Sequence, residues 1–581
     1  MLARAGQWKR AIEGFGPAVL AAAGVATGLV EGGTVMWIQM GAIALAAVAA
    51  AGCAHAKGGR GASDAVYLDQ GWGDEERRIF YRASQGARLL PFGWFLALER
   101  EDSAERFATS DYVARYRFID DPDAKNNPER LPVGFARDVD PQTREVYVGF
   151  TCATCHTRQI SYRGARIRID GGPATIDVVT FIDAIFGALD RTLKTPEKLD
   201  RFARAVLKDR YGEDSTRALR AQMEKMLEVV RLQAFTGGAA GPHAAVAGFG
   251  RLDALGRAGN LLFGQLNPEN LRVANAPVDY PHLWDAPSYD WVQWNGSIMQ
   301  PMGRNIGEAL GVGTHTRLDP APQGAKWQLQ SSIRVDNLHL IEQQVEKLRA
   351  PRWPEHLLGS IDRERAARGG RLYRMHCASC HDPGWTPPDE HGKRFRRAMM
   401  SPLELIGTDP THAVSFNERT ADLGTLGLGK MGMAQALEFG TSAIRELKYE
   451  EYGLSAEQRL VWDGYRPNQW RAPRAYKARE LNGIWATAPY LHNGSVPNLY
   501  ELLLPADRRS KRFYLGSAEF DPKHVGLQVK PFQGGFELVT DIPGNSNAGH
   551  EYRDGPLGNG VIGPALTEQE RWDLVEYLKT L

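Results

Sequence analysis

The sequence predicts a mainly α-helical chain with extensive loops and a few short β-hairpins, built around two copies of one short motif. Three observations carry this prediction. Cys152-Ala153-Thr154-Cys155-His156 recurs as Cys377-Ala378-Ser379-Cys380-His381. Stretches with apolar residues at helical period precede the second copy and follow the first. A capping box, Thr567 with Glu570, opens a last helix striped by Trp572, Val575 and Leu578.

Cys-x-x-Cys-His is the attachment signature of c-type haem. Two thiolates three positions apart add to the vinyl groups on one edge of the porphyrin. The adjoining histidine then lies beneath the iron as its proximal ligand. The residues predicted to hold two covalently bound haem c groups are Cys152, Cys155, His156, Cys377, Cys380 and His381. A zinc site closes over roughly 15–20 residues between its cysteine pairs, whereas more than 200 separate these. A dithiol redox pair does not explain a histidine at the same offset twice.

The 581 residues are enough for two or three domains with ample core. Seventy basic against 69 acidic side chains leave a net charge of +1, so nothing points to nucleic acid as a partner. Four of the five cysteines lie in the two motifs, and the fifth, Cys53, lies near the N-terminus. The body therefore has no cysteine left for a structural disulfide.

The N-terminus reads as an export leader. Arg4, Lys9 and Arg10 precede an apolar run from Phe15 to Val30, and a second uncharged run extends from Thr34 to Cys53. Ala54-His55-Ala56 fits a small-x-small cleavage site, while Ala51-Gly52-Cys53 resembles a degenerate lipoprotein box. The second run is also just long enough to act as an uncleaved anchor. Initiation at Met36 or Met40 would give a tidier signal peptide. The expectation is a signal peptide or anchor over residues 1–56 and a periplasmic or secreted body, because c-type haem is attached outside the bacterial cytoplasm.

Residues 57–330 are expected to form an N-terminal haem c domain. Asp74 to Glu99 reads as two helices broken at Pro91, and EVYVGF as a short strand just ahead of the first motif. QISYRGARIRID alternates like a hairpin. Thr175 fits the N-cap of a helix through Leu193 whose Val178, Val179, Phe181, Ile182 and Phe186 would cover a haem face. Thr216 to Gln233 is a second long helix, and Gly237 to Gly250 a loop rich in Gly and Ala. Tyr280 to Val312 concentrates Trp284, Tyr289, Trp291, Trp294, Met299 and Met302 between the two motifs, which favours a haem-pocket wall over ordinary core. Arg304 and Asn305 suit propionates or a loop. Glu308 is the carboxylate in this insert able to serve as a distal acid or base, although a solvated helix position explains it equally well.

Residues 331–581 read as a C-terminal cytochrome c domain: helix, attachment site, loops, final helix. Ile333 to Leu348 and Ile361 to Met375 are helical, and the linker between them contains Pro351 and Pro354.

Ala478 to Val496, reading ARELNGIWATAPYLHNGSV, resembles the LRN-x-x-x-TAPYFHDGSV signature of bacterial dihaem cytochrome c peroxidases. The insert WVQWNGSIMQPMGRNIGEALGV and the later GNSNAGHE are more similar to the rubber-oxygenase branch of that superfamily, dihaem enzymes that use dioxygen to cleave polyisoprene. Peroxidases carry a methionine ligand to the second haem shortly after the signature. Here Leu504-Pro505-Ala506 stands in that place, and no methionine follows Met433. Unless Met431 or Met433 reaches the iron, the second haem lacks a thioether and sits at lower potential. Of the later histidines, His492, His524 and His550, the resemblance assigns His550 to the second iron.

The resemblance makes the first haem the reaction centre and the second a six-coordinate electron relay or reservoir. Trp291 and Trp294 are our candidates for a place between them, an assignment that does not come from the resemblance. The residues agree to this extent: His243, His282 and His315 follow His156 in its half without forming any ligand motif. Three function classes follow. One is a haem-dependent dioxygenase acting with O2 on unsaturated lipid or isoprenoid double bonds, with Trp291, Trp294 and Glu308 as catalytic candidates. Another is a peroxidase that reduces H2O2 with electrons from a small donor protein. The last is an electron carrier with both irons six-coordinate.

Overall fold

The computed structural model describes residues 65–121, 123, 125–234, 245–320 and 327–581. The leader-like residues 1–56 and His243 lie outside the described residues, as does most of the Gly/Ala-rich loop. Among the described residues, no helix is long and apolar enough to cross a membrane.

Two small sheets flank the first motif. Leu90–Pro91, Val146–Phe150 and Phe135–Val139 form one antiparallel sheet with Val146–Phe150 in its centre, and that strand delivers the chain to Cys152. Thr157–Tyr162 and Ala165–Asp170 form the expected hairpin beyond the motif. Arg163 and Gly164 both have positive φ at its tip, the pairing that a tight two-residue turn requires. The parallel strand Val66–Tyr67 covers its far edge.

Two local expectations need correction. The helix expected to run up to Pro91 ends at Arg82, because the Leu89 N–H is taken by the Val148 carbonyl at the sheet edge; Phe92–Ala97 follows as a separate short helix. The helix expected to be capped by Thr175 spans Val178–Lys194 and is capped by Asp177, whose carboxylate accepts the Thr180 N–H at 3.0 Å. Within it, Phe181 is fully buried in an aromatic cluster with Phe107, Phe118, Phe135 and Phe150, so it serves core.

Helix Arg363–His376 leads into the second motif and crosses the final helix Glu568–Leu578. Gly369 and Gly370 make that crossing close: a Cβ on Gly369 would lie 2.0 Å from the Asp573 carbonyl oxygen. Arg368 closes the contact with a two-pronged bond to the Asp573 carboxylate at 2.8 and 2.9 Å. The capping box of Thr567 and Glu570 is formed as the sequence predicts.

Helix makes up 40% and strand 17%, distributed over many short pairs with no closed barrel among the described residues. The mainly helical weighting was too strong, because short extended segments throughout the chain pair with one another, most of them antiparallel. Ser63–Leu581 groups as one compact unit. One buried apolar cluster includes Ala153 of the first motif, Trp284, Trp353, Trp485 and Tyr490 from the middle of the chain, and Leu574 and Val575 of the last helix.

Candidate haem-binding sites

The first motif is a single helical turn, Cys152–Cys155, capped by the Thr151 side chain. Thr154 donates to the Gly134 carbonyl at 2.6 Å; Gly134 has a φ of 87° and runs so close that a Cβ there would meet Thr154. His156 ends the turn, nearly buried, with Nδ1 donating to the Pro281 carbonyl at 2.8 Å. That bond fixes the ring and leaves Nε2 for a metal. Burial lowers His156 to about 4, so the imidazole stays neutral at physiological pH, and burial pushes Cys155 up to about 12. Cys152 Sγ faces Gln85 Oε1 at 3.3 Å.

The second motif follows helix Arg363–His376 directly, with Ala378–His381 as its turn. His381 Nδ1 donates to the Arg479 carbonyl at 2.5 Å, the counterpart of the bond at His156. Cys377 Sγ lies 3.4 Å from the Tyr552 hydroxyl.

His381 faces His550 across a cavity whose empty volume, mouth included, is about 1510 Å³. The two ring centroids are 6.3 Å apart, with the planes at 66°. Two imidazoles bound through nitrogen to opposite sides of one metal, each about 2 Å away, have centroids about 6 Å apart. His550 occupies a strained backbone position at φ 48°, and its Nδ1 is buried without a hydrogen-bond partner. Burial lowers its pKa to about 3. The Arg509 guanidinium clamps this loop, donating to the carbonyls of Asn547, Gly549 and His550. The leucines at 481, 499, 502 and 503, with Ile484 and Ile562, give the cavity an apolar lining suited to a porphyrin face.

The other histidines are otherwise engaged. His492 lines the cavity but stacks on Tyr476 at 3.9 Å. His524 bonds Asp521 at 2.7 Å and does not line the cavity. His282 Nε2 donates to Glu480 at 3.1 Å while its ring stacks on Trp284. His315 packs edge-on against Tyr147. Met433 is buried against Gly259 and Arg419, away from the cavity. Among the described residues, no group of three or more His, Cys, Asp or Glu converges as it would around a bare metal ion.

The aromatic insert divides by role. Trp294 forms part of the cavity wall, donates from Nε1 to the Asp279 carbonyl at 2.7 Å, and carries the Arg479 guanidinium 5.2 Å from its ring. Trp291 lies outside that wall, under Arg471 at 3.8 Å. Trp284 is core, and Tyr289 carries Lys477 over its ring. Glu308 sits on helix Pro301–Gly311, accepts from Gln293 at 2.9 Å, and is close enough for its charge to act on both Cys152 and Cys155. Burial raises its pKa. Arg304 and Asn305 both bind Glu342.

Sequence reasoning missed a duplicated loop. Val292–Ile298 and Tyr490–Val496 each close with a β-bridge between their ends. Gln293 and Gly296 have positive φ in the first, as do Leu491 and Gly494 in the second. Both contain Asn-Gly-Ser, and that tripeptide was the available signal. The two loops meet at Asp279, whose N–H donates to His492 and whose carbonyl accepts from Trp294. Pro281, Arg479 and Arg509 were also missed. Pro281 acts through its backbone carbonyl, Arg509 through its guanidinium, and Arg479 through both its carbonyl and its side chain, none of which composition or spacing reveals.

Residues 475–514 match a family described as RoxA-like, cytochrome c-like. That segment contains Arg479, Ile484, Tyr490 and His492 of the cavity at the second motif, implies covalently held haem c, and suggests an oxidoreductase. The uncharacterized protein y4iJ of Sinorhizobium fredii is 40% identical over 563 residues, covering 89% of this chain and 93% of that protein. The uncharacterized protein y4iM of the same organism is 28% identical over 318 residues, covering 52% of this chain and 64% of that protein. The chain belongs to the same family as y4iJ and carries a RoxA-like, cytochrome c-like segment.

Proposed function

We propose that this protein is an exported dihaem c-type oxidoreductase that works at the first motif and uses the second as an electron relay or reservoir. One observation carries the reading: His381 has a second imidazole across its cavity at metal-sandwich distance, while among the described residues His156 has no such partner. His156 and His381 would serve as proximal ligands and His550 as the sixth ligand of the second haem. A c-type haem with an open sixth position supplies the binding and activation of dioxygen or peroxide. Export rests on the leader-like runs before Cys53.

The favoured reaction is oxygenative cleavage of a carbon–carbon double bond in an unsaturated lipid or isoprenoid. One O2 is consumed per double bond, and each of the two carbons takes one oxygen atom to become a carbonyl, so no external reductant is needed. The chain's own contribution is to hold the His156 ring through Pro281 and to bury it from water. Oxygen uptake by the purified protein on adding an unsaturated lipid or polyisoprene, with carbonyl products, is the expected result. Absence of uptake with every such substrate overturns the reaction.

Glu308 favours a second reading. A half-buried carboxyl near the first motif, held by Gln293, suits proton transfer during reduction of H2O2 to water, which takes two electrons from a small donor protein and two protons from solvent. Turnover with H2O2 and a reduced donor, in place of oxygen uptake, distinguishes it.

A further inference from the structure

The two proximal histidines, far apart in sequence, are fastened to a common frame. His156 Nδ1 donates to the Pro281 carbonyl at 2.8 Å. The next carbonyl along, that of His282, accepts from Arg479 Nη2 at 2.9 Å. The Arg479 carbonyl in turn accepts from His381 Nδ1 at 2.5 Å. Arg479 thus touches one motif through its backbone and the support of the other through its side chain.

The guanidinium is held from the side as well. Glu480 lies 3.4 Å from Nη2, and the Trp294 ring lies beneath at 5.2 Å. The Arg479 side chain is only 12% exposed, so these bonds sit largely out of water, where they are strong and directional. Glu480 also anchors His282 through the ring bond, which stiffens the Pro281–His282 segment from its other side. A hydrogen bond to the outer nitrogen of a ligating histidine tunes the ring's basicity and orientation, and through them the iron.

We propose that Arg479 is a positioning residue that couples the two haem sites, holding His381 through its carbonyl and the support of His156 through its guanidinium. A change at one iron that shifts its proximal imidazole is thereby passed to the other. This inference rests on the reading that both motifs carry haem.

The test uses the full-length, haem-loaded protein with Arg479→Met and Arg479→Lys, followed by haem quantification, low-temperature EPR and redox titration of each haem. Two haems per chain in the parent protein establish the underlying reading separately; one or none overturns that reading and not the geometry of Arg479. In Arg479→Met the backbone carbonyl remains, so the His381/His550 low-spin signal should persist. The first haem, more than 300 positions away in sequence, should change: its EPR signal moves and its reduction equilibrium shifts about tenfold, about 59 mV for a one-electron couple. Arg479→Lys keeps the charge without the planar fork and should produce the same shift. It also decides the matter if Arg479→Met fails to load haem. An unchanged first haem in the variants that load, or a lysine variant matching the parent, overturns the proposal.

Discussion

Around Cys152–His156 the attachment turn is fastened on every side: Thr151 caps it, Gly134 crowds it, and the hairpin Thr157–Asp170 continues from it. Around Cys377–His381 the turn hangs from one helix crossing, with Ser379 exposed and a wide cavity beneath. Yet it is the loosely framed site that has an opposing histidine, delivered by a loop that Arg509 clamps through three carbonyls. The lesson is that a shared sequence signature fixes the proximal half of a haem site only. The far half comes from remote segments, and it decides whether an iron exchanges ligands or only electrons.

The largest effects should come from removing the attachment points. Cys152→Ser with Cys155→Ser should reduce the covalent haem count from two to one and abolish substrate turnover. Cys377→Ser with Cys380→Ser should give the same count while leaving the first haem able to bind an added ligand such as cyanide. Equal ligand binding by both double variants would break the asymmetry.

His550→Ala should retain both haems, because its thioether bonds do not involve residue 550. The second iron should change from low-spin to high-spin in the EPR spectrum, and the protein should acquire a second site for added imidazole. An unchanged low-spin signal would assign the sixth position to another residue, with His492 first in line because it lines the same cavity.

A smaller effect, confined to the first site, is expected of Glu308→Gln. If H2O2 is the substrate, loss of the general base should slow turnover roughly 100-fold. Burial raises the carboxyl's pKa above that of an ordinary glutamate, so the parent loses its ionised base, and with it turnover, as pH falls through that raised value. The glutamine variant should lack this limb. If the protein is an oxygenase, oxygen uptake should change by less than tenfold.

How much of this was legible in the sequence follows the same division. The two attachment turns, the hairpin after the first and the capped helix after the second could be read, because each is encoded by neighbouring residues. The strand content was under-read, since short pairs such as Thr420–Asp422 with Lys430–Gly432 owe their pairing to tertiary contact more than to local propensity. Trp291 and Trp294 looked interchangeable in sequence. They point to different surroundings because Gln293 between them adopts a left-handed conformation. Arg479 was invisible as a connector, since it joins the His282 backbone carbonyl to the His381 ring, drawn from two segments distant in sequence.

The duplicated Asn-Gly-Ser loops allow the finest comparison. Asn493 donates to the carbonyls of Gly544 and Ser546, and Ser495 donates to Ser546 as well, so this copy anchors the segment leading to His550. Asn295 is fully buried, and neither its amide nitrogen nor its oxygen has a hydrogen-bond partner; Ser297 Oγ is likewise unpaired. Asn493→Ala should therefore cost about 2 kcal/mol in denaturant unfolding, because the buried Gly544 carbonyl loses its donor while the Ser546 carbonyl keeps only the Ser495 hydroxyl. Asn295→Ala removes two buried polar atoms that gain nothing from the fold, and should be neutral or stabilising. Both variants should be measured with the haems attached. A cost at Asn295 equal to that at Asn493 would mean that the first loop's polar groups bind something in the loaded protein, making the two copies alike in role as well as in shape.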